Sequence, residues 1–212
     1  MNVELLTNTP LTITAHAIRT CWQSFDKSDE GGEKDRELID RVGNKFKHAS
    51  TLEHLFYTFY VSGVSRALLQ ELARHRMASL SVKSTRYTLK ELKSESAFTQ
   101  SFELLDDAKT RAKKYLVYTG EEVVDKMSIL ALENLRQVLA SGIANDKAKF
   151  CLPESYKTEL TWSINARSLQ NFIALRSNKS ALWEIRELAY MLFETLPTEH
   201  QYLFESCVAP KA

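Results

Sequence analysis

Apolar positions along the chain recur with two different periods, and those periods predict the elements. Leu55-Phe-Tyr-Thr-Phe-Tyr-Val-Ser62 is aromatic and β-branched and reads as a buried strand that Gly63 breaks. Leu160, Trp162 and Ile164 alternate with polar residues, which predicts a strand over 158–165. Polar residues also alternate around Leu80 and Val82, so a third strand is expected over 79–88, and a short one fits Met1 to Leu6. The helical period takes over elsewhere. Ser65 is placed to cap a helix whose Leu68, Leu69 and Leu72 form one stripe. Val124, Ile129, Leu132, Leu135 and Leu139 mark a helix over 121–141, ended by Gly142. Asn165 can cap a helix from Ala166 to about Arg176, and a last helix runs from Ser180 to Leu196 and stops at Pro197. Thr9-Pro10 opens a helix through about Cys21-Trp22, residues 102–118 are expected to form another, and 90–101 reads as a polar loop. Strands scattered among long helices indicate an α+β fold, a single domain over 1–212 with a helical portion at about 102–142.

Composition narrows the class. With 212 residues, 44% hydrophobic and 26% charged, the chain is long enough for a sizeable core. A net charge of +1 argues against general nucleic-acid binding, which needs a basic surface. Cys21, Cys151 and Cys207 are isolated, with neither metal-ligand spacing nor a disulfide framework. No signal pattern opens the chain and no stretch is long enough to span a bilayer, so a cytoplasmic protein without a membrane partner is expected. Residues 26–40 hold seven acids against three bases around Gly31-Gly32, which reads as a loop feeding a solvated helix.

Charge placement adds more than net charge does. Between residues 65 and 93 there are seven Lys/Arg and two Asp/Glu, and the segment Arg74 to Tyr87 alone holds four cations, three serines and a histidine. Such a stretch is either a solvated helix end leading into an edge strand or an anion site in which guanidinium forks grip phosphate. A second polar constellation, Asn165-Ala-Arg-Ser-Leu-Gln-Asn-Phe-Ile-Ala-Leu-Arg176, opens a helix with Arg167 and Asn171 on one face. His48 and His54 flank Glu53, but their spacing does not place both imidazoles on one helix face. Among only six glycines there is no Gly-x-Gly-x-x-Gly and no Walker loop, so any cofactor phosphate must be held by side chains. The serines near His75 lack a nucleophile elbow and an acid partner.

Arg74-His75-Arg76, then Ser79, Ser84 and Arg86-Tyr87 at these spacings, resemble the signature of the flavin-dependent thymidylate synthases. Asn165-Ala-Arg with Asn171 and Arg176 matches a second motif of that family, roughly eighty residues on, and His48, Ser50, Glu53 and His54 match a third. The resemblance implies a small, mostly antiparallel or mixed sheet packed with long helices, and a homotetramer whose active sites are shared between subunits. It implies reductive methylation of dUMP to dTMP, with 5,10-methylenetetrahydrofolate as carbon donor and FAD, reduced by NADPH, as hydride donor. FAD would be held by Ser50, Glu53, Arg74, His75, Arg76, Val82, Asn165, Arg167 and Asn171. The dUMP residues would be Glu71, Arg74, Val82, the Lys83 amide, Ser84, Arg86, Lys149 and Arg176, with Arg176 the activating residue and His48 on the folate side. The sequence departs from the family pattern at Glu71, where Gln is common, at Ser81 (Asn), at Val82 (an acid), at Lys149 (an arginine) and at Ser180 (His in some members). The competing readings are a nucleotide or single-stranded nucleic-acid binding module, or a metal-dependent hydrolase built on His48, His54 and His75.

Overall fold

The computed structural model describes residues 1–211. In chain order the elements are β1 (Asn2–Asn8), α1 (Leu11–Thr20), α2 (Glu33–Ile39), β2 (Phe56–Ser65), α3 (Arg66–Leu72), β3 (Ala78–Val82), α4 (Thr85–Thr88) and α5 (Lys90–Lys93). They continue with β4 (Thr99–Gln100), β5 (Glu103–Leu104), α6 (Ala108–Ala112), α7 (Glu122–Ala140), α8 (Asn145–Ala148), β6 (Lys157–Asn165), α9 (Ala166–Arg176), α10 (Trp183–Thr195) and α11 (Thr198–Gln201). The α+β class read from the pattern stands. The chain forms two compact units, one of Met1–Ser62, Glu71–Ser81 and everything from Leu160 onward, the other of Gly63–Gln70 and Val82–Glu159.

The first unit is organised by a sheet of order β1-β2-β6-β3, with β1 antiparallel to β2. Alternation built it: Tyr57, Phe59 and Val61 of β2 and Leu160, Trp162 and Ile164 of β6 are buried, while the residues between them are more open. Helix α9 brings Leu169, Phe172 and Ile173 to this core, and α10 packs on α9 with Ile185, Leu188, Ala189 and Leu192 buried. A line of rings leads out of the core. Phe59 lies 6.4 Å from Trp162, Trp162 sits edge-on to Phe172 at 5.1 Å, and Phe172 meets the His75 ring at 4.8 Å. His75 is therefore seated on the hydrophobic core by contact with a buried aromatic.

The second unit is built on α7, whose Ile129, Leu132, Leu135 and Leu139 pack with Leu89, Leu92, Phe98 and Leu116. Gly142, at φ +89°, ends α7 as expected, donating its N–H to the Leu139 carbonyl. Ser65 caps α3, its Oγ accepting from the Leu68 N–H at 3.0 Å.

Three expectations need correction. Residues 102–118 are not one helix: Ser101 and Phe102 have positive φ (49° and 68°), β4 and β5 pair as a two-residue hairpin, and only Ala108–Ala112 is helical. The strand expected over 79–88 stops at Val82, and Thr85–Thr88 forms a helical turn after Ser84. The loop expected over 90–101 contains α5 and β4.

A cation-lined cleft as the candidate active site

Both polar motifs of the first unit open onto one cleft of about 660 Å³. Arg74, His75, Arg76 and Met77, between the end of α3 and β3, form one wall. The other comes from the start and outer face of α9: Asn165, Arg167, Ser168, Asn171, Leu175 and Arg176. The two meet because α3 ends at Leu72, where the His75 N–H still reaches the Leu72 carbonyl at 3.0 Å, and because the Asn165 side chain starts α9 by accepting from the Ser168 N–H at 2.8 Å. Arg167, Asn171 and Leu175 are spaced four apart, so one helical ridge presents all three.

The centre of the cleft is an interlocked triad. Arg176 donates from Nη1 to Glu71 Oε2 at 2.7 Å, from Nη2 to the Glu71 carbonyl at 3.2 Å, and from Nε to His75 Nε2 at 3.0 Å. Its side chain is only 15% exposed, so the guanidinium is oriented by three acceptors in a partly desolvated place. Glu71 also takes Arg74 Nη1 at 3.3 Å, though Arg74 is 71% exposed and free to turn to another anion. Burial, then the charges of Arg176 and Arg74, lower the His75 pKa to about 4, against an opposing pull from Glu71. His75 is thus neutral near pH 7, and because Nε2 accepts from Arg176, the ring proton sits on Nδ1.

At the rim, Arg167 Nη1 meets Glu53 Oε1 at 2.6 Å, with both side chains about half exposed. A pair so open to solvent contributes at most about 1 kcal/mol and separates readily for a ligand. Arg76, also at the rim, makes no ion pair among the described residues.

Of the residues assigned by resemblance, Glu53, Arg74, His75, Arg76, Asn165, Arg167, Asn171 and Arg176 line this cleft, and Glu71 is bonded to Arg176. Ser50, on the 3₁₀ turn Ala49–His54, does not line it, and His48 lines a different cavity. Val82, Lys83, Ser84, Arg86 and Lys149 fall in the second unit. There the Lys83 N–H, expected to face substrate, donates to the Glu159 carbonyl at 2.9 Å, and Lys83 Nζ pairs with the Glu159 carboxylate at 3.0 Å. Arg86 is exposed, its guanidinium over the Tyr87 ring, and Lys149 begins a 3₁₀ turn. Among the described residues no three His, Cys, Asp or Glu side chains are grouped to hold an ion. Sequence reasoning missed Met77, Ser168 and Leu175. The four-residue ridge from Arg167 to Leu175 was the available signal for the last of these.

Known proteins match nearly the whole length of the chain. The family model for "Thymidylate synthase complementing protein" matches residues 4–200. Proteins called flavin-dependent thymidylate synthase from Wolinella succinogenes and Campylobacter jejuni are 71% identical over 204 residues and 66% identical over 209. Those alignments cover 96% of this chain and 97% of the first relative, and 98% of this chain and 98% of the second. A crystal structure of thymidylate synthase X from Helicobacter pylori with FAD and dUMP superposes with a TM-score of 0.92 at 57% identity, covering 98% of this chain and 99% of that one. A second, of the Helicobacter pylori flavin-dependent enzyme complexed with FAD and dUMP, reaches 0.93 at 58% identity, covering 99% and 100%. The chain therefore belongs to the thymidylate synthase complementing protein family.

Proposed function

We propose that the chain is a flavin-dependent thymidylate synthase, converting dUMP to dTMP with FAD. The observation that carries this reading is the convergence of Arg74-His75-Arg76 and Asn165–Arg176 on one cleft, with Arg176 oriented at its centre. The donor set suits the cofactor. The volume lies in the range of cofactor pockets, Arg76 and the loosely paired Arg74 and Arg167 supply cations for phosphate, and the Asn165 and Asn171 amides supply neutral donors. In this reading Ser50, Glu53, Arg74, His75, Arg76, Val82, Asn165, Arg167 and Asn171 bind FAD. When bound, FAD supplies the hydride that completes the new methyl group.

Glu71, Arg74, Val82, Lys83, Ser84, Arg86, Lys149 and Arg176 serve dUMP. Lys83 contributes through its side chain or after release of its amide from Glu159. Arg176 does the electrostatic work: a preoriented guanidinium stabilises negative charge on the pyrimidine and makes carbon 5 nucleophilic without a covalent enzyme thiolate. Neutral His75 supports it by accepting its Nε–H; a protonated imidazole there would repel Arg176 and release it. The free cysteines are consistent with this. Cys21 and Cys151 are exposed, neither lines the cleft, and burial raises the pKa of Cys207 away from the thiolate.

NADPH as reductant, methylenetetrahydrofolate as carbon donor, a homotetramer with shared sites and a cytoplasmic location complete the proposal. No helix among the described residues is long and apolar enough to cross a membrane. The test is direct. The purified protein should show flavin absorbance that increases on adding FAD, and should release tritium from dUMP labelled at carbon 5. A colourless protein that gains no flavin and releases no tritium would end the proposal.

A further inference from the structure

The second unit holds a cavity of about 550 Å³ that the cleft chemistry does not use. Four lysines line it, Lys83, Lys90, Lys114 and Lys157, against a single acid, Glu91. They come from separate places in the chain: Lys83 follows β3, Lys90 opens α5, Lys114 follows α6 and Lys157 opens β6. Backbone bonds gather them, the Lys83 N–H reaching the Glu159 carbonyl at 2.9 Å and the Lys157 N–H the Tyr115 carbonyl at 2.7 Å. Their charges are poorly matched. Lys83 and Lys114 meet Glu159 and Glu91 at 3.0 and 2.9 Å in solvent-open pairs that separate readily. Lys157 Nζ finds only the Lys113 carbonyl, and burial, then the Lys113 charge, lowers its pKa. Lys90 makes no ion pair among the described residues.

Two tyrosines on the wall narrow the ligand. Tyr156 is only 7% exposed, yet its hydroxyl has no hydrogen-bond partner among the described residues and is not sealed in the core. Burial raises its pKa to about 12, so at neutral pH the hydroxyl keeps its proton and offers a donor to the cavity. Tyr87 is 69% exposed and carries an aromatic ring beside the cations. Ammonium point charges suit the spread charge of a phosphate chain, and an open ring among them favours a chain that ends in a base. We infer that this cavity binds a nucleoside polyphosphate, its phosphates on Lys90, Lys114, Lys157 and the Tyr156 hydroxyl and its base against Tyr87. Val82, Ser84, Arg86 and Lys149, assigned above to dUMP, do not line it, so the ligand is additional to the substrates of the proposed reaction.

Titration calorimetry of the FAD-loaded enzyme, saturated with dUMP so that the cleft is occupied, tests this with ATP, inorganic tripolyphosphate and adenosine as probes. ATP should bind most tightly. Tripolyphosphate should bind roughly tenfold more weakly, the worth of one base on an aromatic ring, and adenosine more weakly still. The double variant Lys90→Gln, Lys157→Gln should weaken both phosphate probes by at least about tenfold while releasing tritium from labelled dUMP at the wild-type rate, which shows that it folds. Tyr156→Phe should weaken both by about three- to tenfold, the loss of one hydrogen bond to a charged group. Tyr87→Ala should bring ATP down to the affinity of tripolyphosphate and leave tripolyphosphate unchanged. Unchanged dissociation constants in the folded double variant, ATP binding that dUMP abolishes, or equal affinity for ATP and tripolyphosphate in the wild type would each overturn the assignment. None of these results touches the synthase reading, which stands or falls on tritium release by the wild-type enzyme.

Discussion

Replacing Arg176 by alanine removes the one side chain that three groups in the cleft are arranged around. The bond from Nη1 to Glu71 is 2.7 Å long between partners 15% and 32% exposed, so it is a charge-assisted contact in a partly dry setting. Its loss costs about 1.5–3 kcal/mol. That is a fraction of the roughly 5–15 kcal/mol that holds a domain folded, and Glu71 keeps Arg74 at 3.3 Å, so the variant should fold. Turnover should suffer much more. A preoriented donor that meets charge developing in a transition state contributes about 2.7–4 kcal/mol, a loss of about 10²–10³ in kcat. The His75 ring provides an independent readout. Its pKa of about 4 is set first by burial and then by Arg176, so removing that charge should raise it, though burial keeps it below 6.5.

The sign carries over to stability. His75 is depressed on folding, so protonation favours the unfolded chain; its contribution is complete above pH 6.5 and is lost as pH falls toward 4. Because the ring lines an open cleft, solvent screening limits this term to about 1–2 kcal/mol. Arg176→Ala should flatten that slope. Tritium release from labelled dUMP measures the turnover, flavin absorbance the integrity of the cleft, and an NMR titration the imidazole. Turnover within about threefold of wild type, against a predicted hundredfold loss, would refute the role given to Arg176. An unmoved His75 titration would refute the electrostatic account of the triad. Arg176→Lys retains the charge and loses the fork, so it should recover only part of the activity.

Three other substitutions probe separate links. Glu71→Gln deletes the charge that raises the His75 pKa, so that pKa should fall further and turnover should drop by about tenfold as Arg176 loses its anchor; a rise in the NMR titration would contradict the reading. Asp35→Asn leaves buried Arg19 without its anion and should destabilise the protein by about 3–5 kcal/mol in urea denaturation. Burial opposes ionisation of Asp35, but bonds from Arg19, Ser28 and Gly31 outweigh it and lower its pKa; wild-type stability from this group is therefore held above the ordinary carboxylate range and lost as pH falls through the depressed value. Asn165→Ala removes the cap of α9, which should cost about 1 kcal/mol in thermal unfolding and loosen FAD binding, measured by fluorescence of released flavin.

What was legible in the sequence was local. An aromatic and β-branched run over 55–62 and a period of two over 158–165 both favour strands, and β2 and β6 form there with alternate side chains buried on one face. Asn165 and Gly142 mark helix ends because one offers a side-chain acceptor and the other adopts positive φ without strain. The first motif was visible as positive charge concentrated over 65–93 in a nearly neutral chain, and the second as Arg167 and Asn171 on one face of a helix. Local signals failed where partners distant in sequence decided the outcome. The helix expected over 102–118 gave way to a hairpin next to a segment whose Phe98 N–H is taken by the buried Glu133 carboxylate, thirty-five residues away.

The tertiary structure alone decided the chemistry of the cleft. No periodicity joins Glu71 and His75 to Arg176, a hundred residues on; the packing of Phe172 between Trp162 and the His75 ring does. Sequence marks His75 and Arg176 as groups able to carry charge. Whether each does at neutral pH depends on the water excluded around it and on the charges set within a few ångströms, and both of those are properties of the folded arrangement.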